Sequence, residues 1–127
     1  MAVRRRILVA DDNALIRKTL CELFADHATL EICDEAVNGQ EAVEKAIKHR
    51  PDLIILDLSM PIMNGLKAAD AIRRALPNVL IILFTLYAEA LGQSHALLSG
   101  ITRVVSKQEI PSIVGHAEDL VRAAGPV

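Results

Sequence analysis

Apolar residues fall along the chain in two alternating patterns. Short, unbroken runs of mostly branched aliphatic residues stand at Ile7-Leu8-Val9, Leu53-Ile54-Ile55-Leu56, Val79 to Phe84 and Val104-Val105. Runs of this length without polar interruption predict strands buried on both faces, as in a parallel sheet. A weaker strand is expected from Leu30 to Val37, where Glu31 and Asp34 interrupt the apolar character. The segments between carry helical spacing. Ile16, Leu20 and Leu23 share one face, as do Val43, Ala46 and Ile47 in the next segment. Leu66, Ala69, Ile72 and Leu76 form a third stripe, and Ile110, Ile113, Val114, Ala117 and Val121 a fifth. The fourth segment, Ala88 to Leu98, has no clean stripe and contains Gly92 and Ser94, so its helix is expected to be short or mobile.

Punctuation supports these boundaries. Asn13 is placed to cap the first helix, and Asn38-Gly39-Gln40-Glu41 has the spacing of a capping box for the second. Pro51 and Pro77 each stop a helix shortly before a strand, and Pro111 fits the first turn of the last helix. Strand then helix, five times over, predicts an α/β fold with right-handed crossovers: a doubly wound, five-stranded parallel sheet. We expect one domain over residues 1–127, with 123–127 closing the last helix and starting a linker.

Composition narrows the function classes. The chain has 127 residues, 52% hydrophobic and only 24% charged, which supports a packed core and excludes a disordered chain. Its longest apolar run is far too short to span a membrane. Arg4-Arg5-Arg6 leads into the first strand rather than into a signal sequence and is expected to be a solvated lead-in. A net charge of −2, no Trp, and only Phe24, Phe84 and Tyr87 as ring platforms argue against a nucleic-acid surface. Cys21 and Cys33 make no disulfide framework and no metal spacing; both are expected to be small core residues of a cytoplasmic protein.

Ligands of doubly wound sheets bind beyond the carboxyl ends of the strands, where strand order reverses. The first strand is followed by Asp11 and Asp12, the third ends in Asp57, the fourth in Thr85 and the fifth in Ser106-Lys107. The second ends in nothing comparable, as expected for an edge strand in the order 2-1-3-4-5. Three carboxylates gathered on one rim repel one another and call for a cation, and oxygen ligands without His or Cys suit Mg²⁺. A carboxylate can also attack phosphorus, and such a transfer needs mainly positioning and charge neutralisation. Asp57 is the best nucleophile candidate, because it closes the central strand between the acidic pair and the Thr85/Lys107 pair.

Asp11-Asp12 after an aliphatic strand, the stretch Asp57-Leu58-Ser59-Met60-Pro61-Ile62-Met63-Asn64-Gly65-Leu66, Phe84-Thr85 and Val105-Ser106-Lys107 resemble the receiver domain of two-component response regulators. The likeness spans the chain, and its wording is most similar to receivers that precede helix-turn-helix DNA-binding domains. It implies a flavodoxin-like (βα)5 sandwich in which Asp57 accepts a phosphoryl group from a sensor histidine kinase or a small phosphodonor. Asp11, Asp12, Asp57 and the backbone carbonyl of Ser59 would hold Mg²⁺. Lys107 would pair with Asp57 or the phosphoryl oxygens, and Thr85 would swing toward the phosphoryl group. An output domain or downstream protein would read the change on the fourth helix, fifth strand and fifth helix, and a homodimer could form through the fourth and fifth helices. The domain itself would bind neither nucleic acid nor membrane, and would act as a phosphoacceptor rather than a turnover enzyme.

The chain departs from that pattern at three positions. Val104 stands where such receivers carry Tyr or Phe, and Leu86 stands where a small residue usually follows the threonine. Tyr87 comes next. Leu86 and Tyr87 are expected to crowd the pocket and slow both phosphorylation and hydrolysis, or Tyr87 to supply the ring that Val104 lacks. Two other functions fit the same residues: a pseudo-receiver that binds partners without being phosphorylated, and a Mg²⁺-dependent phosphohydrolase with an aspartyl phosphate intermediate.

Overall fold

The structure, a computed structural model, describes residues 3–91 and 100–125. Its five strands are β1 (Arg5–Ala10), β2 (Leu30–Ala36), β3 (Leu53–Asp57), β4 (Leu80–Thr85) and β5 (Arg103–Ser106). They form one parallel sheet in the order β2-β1-β3-β4-β5, the order expected from the sequence. Helices α1 (Ala14–Phe24), α2 (Gly39–His49), α3 (Gly65–Ala75), α4 (Ala88–Leu91) and α5 (Ile113–Ala123) alternate with the strands. The remainder of the expected fourth helix, from 92 to 98, lies outside the described residues, as do 126 and 127.

The unbroken apolar runs have the physical cause expected of them, since the apolar residues of β1, β3, β4 and β5 alternate between two cores, one on each face of the sheet. Leu8, Ala10, Ile54, Leu56, Ile81, Leu83 and Val104 face one core, packed with α2, α3 and α4. Their neighbours Ile7, Val9, Leu53, Ile55, Ile82, Phe84 and Val105 face the other, packed with α1 and α5. Asparagines start three of the helices. Asn13 accepts from the N–H groups of Leu15 and Ile16, Asn38 from Glu41 and Asn64 from Lys67, which satisfies donors that have no partner inside the helix.

Three expectations need correction. Strand β1 begins at Arg5, and the arginines are not merely solvated. Arg5 donates to the Gly125 carbonyl and Arg6 to the His49 carbonyl at 2.5 Å, tying the start of the strand to the ends of α5 and α2. Pro111 and Ile110 lie in a 3₁₀ turn, Lys107–Ser112, so the last α-helix starts only at Ile113.

The third concerns the cysteines. Cys21 and Cys33 are half-buried and line an open groove of about 500 Å³ between α1 and the edge strand β2. The pairing of β1 with β2 slips between Ile7 and Leu8, leaving Cys33 without an opposite residue on β1. Although β2 meets both α1 and α2, its place at the edge of the sheet leaves these thiols half-buried. Burial nevertheless raises both above the ordinary thiol pKa, with Glu35 adding to the effect at Cys21.

Candidate functional site

The strand pairings bring the expected side chains to one rim. Asp57 is opposite Phe84 and Thr85 opposite Ser106, while Asp11 follows Ala10, the partner of Leu56. Alternation then decides which side chains meet. Asp11, Asp57 and Lys107 continue the phase of Val9, Ile55 and Val105, toward α1 and α5, whereas Thr85 follows the opposite phase.

The in-phase groups are in contact. Lys107 Nζ lies 2.7 Å from Asp11 Oδ2 and 3.1 Å from Asp57 Oδ1. Asp11 is 2% exposed and Asp57 5%, while Asp12 stands exposed at the mouth. Carboxylate oxygens of Asp11, Asp12 and Asp57 all lie within 4.8 Å of one another. Asp11 Oδ1 accepts from the Asn13 N–H at 2.9 Å. Its buried Oδ2 has no directed hydrogen bond and is balanced by the ionic contact to Lys107.

Burial disfavours the charged form of Asp57 and Asp11 repels it, so its pKa is raised even though Lys107 and the Ser59 N–H pull it down. Burial also works against the ammonium of Lys107, but Asp11 and Asp57 outweigh it and its pKa is raised. One cation thus serves two buried carboxylates, with a third close by. This is a donor set of hard oxygens with negative charge in excess, and it fits a small divalent cation such as Mg²⁺. Among the described residues it is the one group of three or more acidic, His or Cys side chains placed closely enough to hold a metal ion.

The residues from 7 to 117 match the sequence profile described as the response regulator receiver domain. The chain belongs to the response regulator receiver family. It is 38% identical over 120 residues to a protein-glutamate methylesterase/protein-glutamine glutaminase of Archaeoglobus fulgidus, covering 92% of this chain and 34% of that protein. It is 30% identical over 112 residues to the response regulator protein VraR of Staphylococcus saprophyticus, covering 88% of this chain and 54% of the relative. The chain therefore spans between a third and just over half the length of these curated relatives. Its fold resembles the CheX-CheY-BeF3-Mg+2 complex of Borrelia burgdorferi with a TM-score of 0.83 at 25% identity, over 94% of this chain and 90% of that one.

Further positions of the receiver pattern lie at the β4–α4 turn and on β5. Thr85 is buried, but its hydroxyl accepts from the Tyr87 N–H at 3.1 Å, capping the turn into α4 rather than meeting Asp57 or Lys107. Leu86 and Tyr87 both reach the surface. They are 62% and 57% exposed and line a groove with Glu89, Ser106 and Gln108 at the β4–α4 turn. Val104 is buried and packs in the core that α4 joins through Ala88 and Leu91, while the Tyr87 ring lies at the surface.

Two contributors escaped the reading of strand ends. Gly65 lets α3 begin against the backbone of the loop after Asp57: its N–H donates to the Leu58 carbonyl at 2.8 Å, and a Cβ there would fall 2.1 Å from the Asp57 carbonyl oxygen. Glu35, near the end of β2, holds Arg17 of α1. Strand β2 therefore does bear on the site, through a partner in another element. An acid near the end of an edge strand, with an arginine on the first helix, was the available signal.

Proposed function

We propose that this receiver is a phosphorylation-gated switch, one unit spanning residues 1–127, in which Asp57 accepts a phosphoryl group. The observation that carries the reading is the buried contact of Lys107 with both Asp11 and Asp57, with Asp12 at the rim. A carboxylate oxygen of Asp57 attacks phosphorus, a P–O bond to the carboxylate forms, and the bond from phosphorus to the donor breaks with its electron pair leaving on the donor. Lys107 stands beside the nucleophile, where its charge meets the phosphoryl oxygens. Thr85 gives up its contact with the Tyr87 N–H and turns its hydroxyl inward. Asp11, Asp12, Asp57 and the carbonyl of Ser59 hold Mg²⁺, which when bound supplies positive charge against the transferring group.

The added charge and the recapture of Thr85 and Lys107 alter the surface of α4, β5 and α5. The donor is a sensor histidine kinase, and the reader is an output domain or a separate protein, of the helix-turn-helix class by the wording of the motif. A homodimer through α4 and α5 is the arrangement to test. Esterase activity is not carried over from the methylesterase, of which this chain matches a third. We place the protein in the cytoplasm, where Cys21 and Cys33 stay reduced. Among the described residues, no helix is long and apolar enough to cross a membrane.

Acetyl phosphate with MgCl2 tests this reading. The switch gains one phosphoryl group at Asp57, and Asp57→Asn gains none. No gain in the wild type would favour the pseudo-receiver, and repeated turnover of a free phosphoester would favour the phosphohydrolase.

A further inference from the structure

The acidic pair sits on a turn that is clamped from outside. Asp11 pairs with β2 through its N–H, which donates to the Ala36 carbonyl at 3.0 Å. Its own carbonyl points to α1, where Arg17 Nη1 donates to it at 2.8 Å. That carbonyl belongs to the peptide unit joining Asp11 to Asp12, so its direction sets how the two carboxylates are turned relative to one another. Arg17 is itself fixed, because its Nε lies 3.1 Å from Glu35 Oε1. The Arg17 side chain is 18% exposed and that of Glu35 44%.

We infer that Arg17, held by Glu35, is a positioning residue for cation binding: it locks the Asp11–Asp12 peptide in the orientation that presents both carboxylates to one ion. The inference rests on the proposed Mg²⁺-dependent phosphoacceptor reading. The Glu35 carboxylate holds Nε while Nη1 holds the Asp11 carbonyl, so the guanidinium is fixed at two points. Removing Arg17 leaves a half-buried carbonyl without its charge-assisted donor and frees the peptide to rotate. The side chains that bind the ion would all remain, but their relative orientation would no longer be preset.

The test is calorimetric titration of the whole chain with MgCl2, for wild type, Arg17→Met, Arg17→Lys and Glu35→Gln. Arg17→Met is expected to bind Mg²⁺ about 10-fold more weakly, the scale seen when groups that orient metal ligands are removed. Arg17→Lys, which keeps the charge and a single donor, falls between. Labelling by acetyl phosphate is slowed at low Mg²⁺ and returns to the wild-type rate at saturation, a split that general loss of structure would not give. Without metal, the Asn13 amide exchanges faster in Arg17→Met, because its acceptor Asp11 is less fixed. A folded Arg17→Met with wild-type Mg²⁺ affinity overturns the inference. Should Arg17→Met fail to unfold cooperatively, Glu35→Gln decides by the same affinity criterion. Wild type that binds Mg²⁺ but takes no phosphoryl group would refute the proposed function and leave the role of Arg17 intact.

Discussion

Lys107 reaches Asp57 at 3.1 Å across the top of β4, joining the ends of two strands that are not neighbours in the sheet. The same ammonium contacts Asp11, so a single cation from the turn after β5 neutralises part of an acidic cluster contributed by β3 and the turn after β1. A group that holds the cluster together in the absence of metal must yield when another positive or negative charge enters. That competition gives the site its sensitivity, and most of the expected behaviour of variants follows from it.

Asp57→Asn is expected to stabilise the folded chain at neutral pH. Burial and Asp11 raise the folded pKa of Asp57, so between the ordinary carboxylate range and the raised value the native state holds more protons than the unfolded state. Stability therefore falls as pH rises through that window, and the full penalty remains above it. Asparagine keeps the shape, removes the charge and leaves Lys107 paired with Asp11. Thermal unfolding should show a higher Tm than wild type at pH 7 and no difference near pH 3. A variant less stable at pH 7 would contradict the charge argument.

Lys107→Met should have the opposite sign. It leaves Asp11 and Asp57 facing each other with burial intact, and breaking a buried pair from one side costs about 3 kcal/mol or more. Denaturant unfolding at pH 7 measures the loss. Mg²⁺ should restore part of it, because the ion replaces the missing counter-charge, and the metal should bind more tightly than to wild type because Lys107 no longer competes. Equal stability in the two proteins without metal would show that the ion pair carries no weight.

The parallel sheet and its strand order were readable because every strand but β2 is covered on both faces, which leaves no polar interruption. Strand β2 was weaker for a physical reason: as an edge strand it carries Glu31, Asp34 and Glu35 toward partners outside the core, and a register slip places Cys33 off the ladder. Asp11, Asp12, Asp57 and Lys107 could be named from strand ends, since strand polarity alone sends them to one rim. The state of Thr85 could not, because its hydroxyl has two available uses and only geometry shows that it serves the Tyr87 N–H. The exposure of Leu86 and Tyr87 was equally hidden, since it depends on how the chain turns into α4.

Leu86→Ala is accordingly expected to leave phosphorylation by acetyl phosphate and phosphate release at wild-type rates. With Leu86 62% exposed, the change in stability should stay within about 0.5 kcal/mol. Following phosphate release after rapid removal of donor tests this directly. A several-fold acceleration would mean that the side chain screens the site from water despite its exposure.

Gly65→Ala should damage the site more than any surface change, although the residue carries no chemistry. The helix start at Gly65 is pressed against the turn after Asp57, with its N–H on the Leu58 carbonyl. An added methyl would sit 2.1 Å from the Asp57 carbonyl oxygen and 3.0 Å from Leu58 Cα, both backbone atoms that cannot rotate away. Relief requires α3 or the phosphoacceptor turn to move, and overpacking of this kind costs about 1–3 kcal/mol. Because the displaced atoms belong to Asp57 itself, labelling by acetyl phosphate should fall even under conditions where the variant is fully folded. Circular dichroism and mass analysis on the same sample separate the two effects, and a folded variant labelled at the wild-type rate would show that the turn accommodates the methyl without moving the nucleophile.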